Sequence, residues 1–137
     1  MSYDTNNIFA KILRGEIPSI KLFEDDYTLA FMDIMPQADG HALVIPKYDA
    51  TTLLDIPADK LTHTMTTVQK VMAAQKSELG VEGVVLMQLN GEGAGQSVPH
   101  LHFHLIPAHL TELKRHGAEK GDMKKIEAIA EKIRAAL

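Results

Sequence analysis

The chain has 137 residues, 45% hydrophobic and 23% charged, with a formal net charge of −4 and no cysteine. That describes one ordinary globular domain, long enough to bury a core without staples, and it excludes disulfides, thiolate nucleophiles and cysteine-bearing zinc or iron–sulfur sites. No Lys/Arg run exceeds two residues and no apolar run nears the ~20 residues of a membrane span, so neither nucleic acid nor a membrane is an expected partner. The N-terminus lacks the apolar core of a signal peptide, and the expected location is the cytoplasm. In chain order, NIFAKILR (residues 7 to 14) sets Ile8, Phe9, Ile12 and Leu13 at helical spacing, and Gly15 suits its stop. IPSIKLFEDD and YTLAFMDI read as strands joined at Glu24-Asp25-Asp26, and GHALVIP as a third strand closed by Pro46. Leu61, Met65, Val68, Met72 and Leu79 mark a helix between Pro57 and Gly80. EGVVLMQLN (residues 82 to 90) reads as a strand, GEGAGQSVP as a glycine-rich loop, and HLHFHLIP as a strand ending at Pro107. Asp122 is placed to cap a last helix carrying Ile126, Ile129, Ala130, Ile133 and Leu137 on one side. Short, closely linked strands with separate helices predict an α+β domain, one antiparallel sheet with helices packed on a face.

The unusual residue is histidine. Seven are present, as many as the 4 Phe and 3 Tyr together, and three of them are His100, His102 and His104. Side chains alternate along a strand, so these three share one face, ~6.6–6.8 Å apart, while Leu101, Phe103 and Leu105 take the other. Thr, Lys or Glu would serve an exposed face better, and partly buried imidazoles need partners. Two chemistries compete. One is a metal site, since two histidines two apart on a strand can chelate; the other is catalysis by imidazole as nucleophile or acid/base. The neighbourhood favours catalysis on a phosphate. Gly91, Gly93 and Gly95 allow positive φ and close backbone approach, so their N–H groups are expected to cradle an anion. Asn90, Gln96 and Ser97 are neutral hydrogen-bonders beside them, where a metal site would more naturally use Asp or Glu.

His100-Leu101-His102-Phe103-His104-Leu105-Ile106 matches the pattern His-apolar-His-apolar-His-apolar-apolar at every position. With IFAKILRGEIPS, FEDDYTLAFMDIMPQADGHALVIPK and NGEGAGQSVPHLHFHLIP standing in order, the chain resembles the histidine triad (HIT) family, its bacterial HIT-like and Hint-type nucleotide-conjugate hydrolases above all. The resemblance implies a HIT-like fold over residues 1–137, with a core at 7–107 and a C-terminal loop and helix at 108–137. It implies a two-fold homodimer that needs no cofactor and acts on a purine nucleotide conjugate at its α-phosphate. By position, His102 would be the nucleophile forming a nucleotidyl-imidazole intermediate, its other ring N–H held by a backbone carbonyl of the triad strand. His104, Asn90 and Gln96 would hold the non-bridging phosphate oxygens, and Ser97 would lie by the leaving group. His100 and His41 would orient the nucleophile or relay protons. Asp33 and Ile34 match positions that hold the nucleoside, the carboxylate accepting ribose hydroxyls, while Phe9 and Ile12 match the apolar wall for the base.

Some family members carry a structural zinc on an N-terminal Cys-x-x-Cys and two histidines. Here those positions are Asn7, Ala10, Asp49 and His100, so no structural zinc is expected. Ala108 stands where bacterial relatives often have Arg, and the tail has no tryptophan. The expected activity is hydrolysis of nucleoside 5′-phosphoramidates or related conjugates. The alternatives are a dinucleoside polyphosphate hydrolase using the same residues, and a nucleotide-binding or interaction protein with vestigial activity.

Overall fold

The computed structural model describes residues 2–113 and 119–137. Asn7 starts helix α1 (Ile8–Leu13): its Oδ1 accepts the Ala10 amide, one of the donors the first turn would otherwise leave unmade. The chain continues through β1 (Lys21–Glu24), β2 (Thr28–Met32), β3 (Ala42–Pro46), α2 (Ala58–Leu79), β4 (Val85–Met87), β5 (Phe103–Ile106) and α3 (Met123–Ala135). Asp25 closes the β1–β2 hairpin, its Oδ1 accepting from the amides of Tyr27 and Thr28. All pairings are antiparallel, as expected, in the spatial order β1-β2-β3-β5-β4. The last strand in sequence therefore lies inside the sheet, and β4 becomes an edge.

The sheet is covered on both faces. On one, Ala30, Val44, Leu101, Phe103 and Leu105 pack against Val68 and Val71 of α2 and Ile126 and Ile133 of α3. On the other, Leu29, Phe31, Leu43 and Ile45 pack against Phe9 of α1. Burying Ile126 and Ile133 is worth roughly 1.5–3 kcal/mol each, against ~1 kcal/mol for the cap that Asp122 supplies to the amides of Lys124 and Lys125. Packing, more than capping, holds α3 in place. Leu137 is a correction: the helix stops at Ala135 and Leu137 is 39% exposed.

Two further expectations change in detail. The expected strand over 82–90 pairs only through Val85–Met87, opposite Ile106 to His104, and beyond it the side chains of Gln88 and Asn90 bond each other. The triad strand begins at Phe103, not His100. Opposite Leu101 the next ladder position would fall on Pro46, which has no N–H to give, and Leu101 instead donates to the Ala50 carbonyl. The alternation survives the loss of pairing, since Leu101, Phe103 and Leu105 all enter the same core. Gln75, in the middle of α2, is fully buried and donates through Nε2 to the carbonyls of Gly40 and Leu105. It ties α2 to the loop before His41 and to the strand of His104. Among the described residues, no helix is long and apolar enough to cross a membrane.

Candidate active site

In the β3–β5 register Leu43 lies opposite His104, which sets the imidazoles on the α1 side of the sheet. The histidine face is closed over: His100, His102 and His104 are 0%, 5% and 1% exposed. Phe9 of α1 supplies part of the cover, its ring standing edge-on to His102 with centroids 4.9 Å apart. Between α1, the sheet and the Asp33–Met35 segment is a cavity of about 460 Å³. Phe9, Ile12, Asp33, Ile34, Ser97, His102 and His104 all line it. Its walls are otherwise mainly apolar, and Asp33 is the one Asp, Glu, Lys or Arg side chain among its described lining residues.

Hydrogen-bond partners assign a proton to each imidazole. His102 Nδ1 is 2.6 Å from the His100 carbonyl, which can only accept, so Nδ1 carries the proton and Nε2 the lone pair. His100 Nε2 lies 2.9 Å from the Pro46 carbonyl and must donate to it, leaving Nδ1 to accept from the Tyr3 hydroxyl at 2.5 Å. His41 Nδ1 accepts the Gln37 amide at 3.0 Å, which puts the His41 proton on Nε2. That proton faces His104 Nδ1 at 3.0 Å and the Asp33 carboxylate at 3.4 Å. The shorter contact makes His104 Nδ1 an acceptor, so the His104 proton resides on Nε2. The cavity wall therefore carries one imidazole with a lone pair on Nε2, His102, beside one with an N–H there, His104. With its Nδ1 held by a backbone amide, His41 is placed to orient His104.

His41, His104 and Asp33 bring one ligand-capable atom each within 4.8 Å of one another. The set does not fit a cation, because His41 Nε2 presents a proton to its neighbours and not a lone pair. Asp33 also closes a turn, its Oδ1 accepting the Met35 amide.

The groups expected to form a phosphate cradle, Asn90, Gln96 and the glycine loop, make hydrogen bonds within the protein. Asn90 Oδ1 accepts the Leu53 amide and the Gln88 side chain, and Asn90 does not line the cavity. Gln96 is buried with Nε2 donating to the carbonyls of Thr51 and Val98 and Oε1 accepting the Gly91 amide. Gly91 and Gly95 do take positive φ, 95° and 102°, but Gly93 does not. The amides of Ala94, Gly95 and Gln96 are spent on carbonyls within the loop. The loop is a self-contained brace that delivers Ser97 to the cavity. Gln37, Gln75 and Tyr3 hold the histidines without having been expected to. Their partners lie far along the chain or are reached through a backbone amide, and neither leaves a local pattern.

Burial holds His100 below the usual imidazole range, against smaller opposing effects of the Pro46 carbonyl and the Asp49 charge. The unfolded chain binds this proton near the ordinary histidine value of ~6.5, so the stabilisation is complete above that pH and is lost as pH falls below it. Thermal unfolding between pH 8 and 5 is expected to show a steeper fall in Tm for the wild type than for His100→Gln. Parallel curves would remove His100 from the acid sensitivity.

A family model, the HIT domain, matches residues 14–111. Adenosine 5′-monophosphoramidase HNT1 of Saccharomyces cerevisiae is 47% identical over 104 residues, 76% of this chain and 63% of the yeast protein, so the match spans less than two thirds of that relative. The crystal structure of a Hit-like protein involved in cell-cycle regulation from Bartonella henselae gives a TM-score of 0.93 at 46% identity, covering 100% of both chains. A zinc-bound histidine triad family protein from Mycobacterium smegmatis gives 0.82 at 28% identity, covering 96% of this chain and 93% of that one. At the positions where the resemblance would put a structural zinc, this chain's donors do not fit an ion: both ring nitrogens of His100 are engaged, Asn7 is spent on the α1 cap and Tyr3, and Ala10 offers no ligand. With the family model over residues 14–111, the α+β sheet and the three alternating histidines in agreement, the chain belongs to the HIT domain family.

Proposed function

We propose that the chain is a nucleotidyl hydrolase that cleaves nucleoside 5′-phosphoramidates or related purine nucleotide conjugates at the α-phosphate. The observation that carries this reading is the His102 ring: the His100 carbonyl, 2.6 Å from Nδ1, holds the proton there and fixes the ring at the wall of the cavity it lines. A neutral nucleophile of this kind divides one difficult displacement into two easier ones. His102 Nε2 attacks phosphorus, the bond to the leaving amine breaks, and the amine leaves with a proton taken from solvent, which the attacking water of the second step returns. Water then attacks the same phosphorus, the P–Nε2 bond breaks, and the nucleoside monophosphate is released. His104 Nε2–H donates to a non-bridging oxygen as charge develops there. Ser97, solvent-exposed at the cavity, lies by the leaving group.

The rest of the cavity suits a nucleoside. About 460 Å³ falls in the usual range of small-molecule sites, ~300–1,000 Å³. Phe9, Ile12 and Ile34 give the base an apolar slot, and the Asp33 carboxylate accepts ribose hydroxyls. An anionic substrate meets no cationic side chain among the described lining residues, so neutral N–H and O–H donors must hold the phosphate. The name of the yeast relative, an adenosine 5′-monophosphoramidase, points the same way. The edge strand β4, with Leu86 41% exposed, suits pairing with a second copy in a homodimer.

A panel of AMP and GMP phosphoramidates and diadenosine polyphosphates, scored for release of the nucleotide, tests the assignment. Phosphoramidates are expected to give the highest kcat/KM. Faster turnover of the polyphosphates would reassign the substrate, and binding without turnover of any conjugate would make the chain a nucleotide-binding protein.

A further inference from the structure

We propose that the Tyr3 hydroxyl is a positioning group for the catalytic histidines, a strut that holds the His100 ring and, through the His100 carbonyl, the ring of His102. The role rests on the reading of His102 as nucleophile given above, but its geometry stands without it.

Two bonds meet at this hydroxyl, and others lie one step from it. Asn7 Nδ2 donates to the Tyr3 oxygen at 2.8 Å, which turns the hydroxyl proton toward His100 Nδ1, 2.5 Å away. His100 is fully buried and donates from its other nitrogen to Pro46, so its ring is held at both ends. Its carbonyl is the acceptor for His102 Nδ1–H. The same Asn7 side chain caps α1 through Oδ1, and α1 carries Phe9, whose ring stands edge-on to both His100 and His102. One hydroxyl thus connects the N-terminal segment, the helix that walls the cavity, and the residue that fixes the nucleophile's tautomer.

Burial keeps the hydroxyl a donor. It opposes loss of the proton most strongly, the Asn7 bond and then Arg14 offset it only in part, and Asp49 and Asp4 add to it, so Tyr3 stays a neutral phenol well above neutral pH. Burial likewise keeps His100 neutral and able to accept. A structural tyrosine could hold a terminus with its ring alone. Here the ring stands edge-on to His100, centroids 5.6 Å apart, and the polar bond goes to the residue whose carbonyl serves His102.

Tyr3→Phe keeps the ring and removes only the bond. In histidine-¹⁵N-labelled protein, the strongly deshielded Nδ1–H proton of His102 is expected to shift and broaden, and the His100 Nδ1 signal to move toward that of an unbonded ring nitrogen. With an AMP phosphoramidate well below the melting temperature, kcat is expected to fall about tenfold with KM within about twofold, since a lost buried bond loosens the nucleophile and not the nucleoside slot. Asn7→Ser, which retains a capping oxygen but cannot reach Tyr3 with an amide, is expected to shift the same His102 signal by less. An unmoved His102 Nδ1–H signal in Tyr3→Phe overturns the proposal whatever the kinetics show. If the wild type turns over no conjugate, the hydrolase reading falls, while the His102 signal still decides whether Tyr3 positions the ring.

Discussion

His102→Ala is expected to slow release of nucleotide from an AMP phosphoramidate by at least about a thousandfold while leaving the fold intact. A thousandfold corresponds to ~4 kcal/mol of transition-state stabilisation, the scale on which removal of a covalent nucleophile acts. Apart from its ring nitrogens the side chain packs edge-on to Phe9 and His104, and these contacts do not hold the sheet together. Its removal opens a space at an existing cavity, whose cost is small beside the cores built on β3 and β5. Circular dichroism and thermal melting check the fold, and steady-state release of AMP checks the rate. In the wild type, substrate quenched without acid is expected to leave a nucleotidyl adduct on His102 alone, because a phosphorus–imidazole bond does not survive acid. Near-wild-type turnover from the pure variant would assign the chemistry to another group.

How much of this was legible beforehand follows from the range of each interaction. The triad's two faces were readable because period-two alternation is local: Leu101, Phe103 and Leu105 enter one core even where the ladder has stopped at Pro46. The helices α1 and α3 were readable for the same reason, from apolar residues at helical spacing, with Gly15 after the first and the Asp122 cap before the second. Which face would be wet was not readable. The cover over the histidines comes from Phe9, some ninety residues upstream, and burial of a polar face by a distant helix leaves no mark in the strand itself. Asn90 and Gln96 show a different limit. They are the right residue type beside the right loop, yet a side-chain amide bonds main-chain groups as readily as a phosphate: Asn90 Oδ1 accepts the Leu53 amide, and Gln96 Nε2 donates to the carbonyls of Thr51 and Val98. Tyr3 and His100 are separated by 97 residues, and Gln37 acts on His41 through its main chain. Neither contact could be found by spacing or residue type.

The second large effect belongs to His104, and two substitutions separate the jobs of its two nitrogens. Asn places its amide near the Nδ1 position and can still accept the His41 Nε2–H with its carbonyl, but it carries nothing where Nε2 was. Gln reaches the Nε2 position and can present an N–H there, while giving up the partner of His41. If His104 acts by donating from Nε2 to a developing phosphate charge, His104→Asn loses about 10²–10³ in kcat, the usual cost of removing one such donor, and His104→Gln loses clearly less. If the ring instead matters for holding His41 beside Asp33, the order reverses. The His41 bond at 3.0 Å, and the Gln37 amide that donates to His41 Nδ1 and fixes that ring, make the first order the expected one. The effect should fall on kcat with little change in KM, because a donor aimed at charge that appears only in the transition state adds little to ground-state binding. Equal losses in both variants, with KM raised in each, would mean that His104 serves substrate binding and that stabilisation of the phosphate charge lies elsewhere in the cavity.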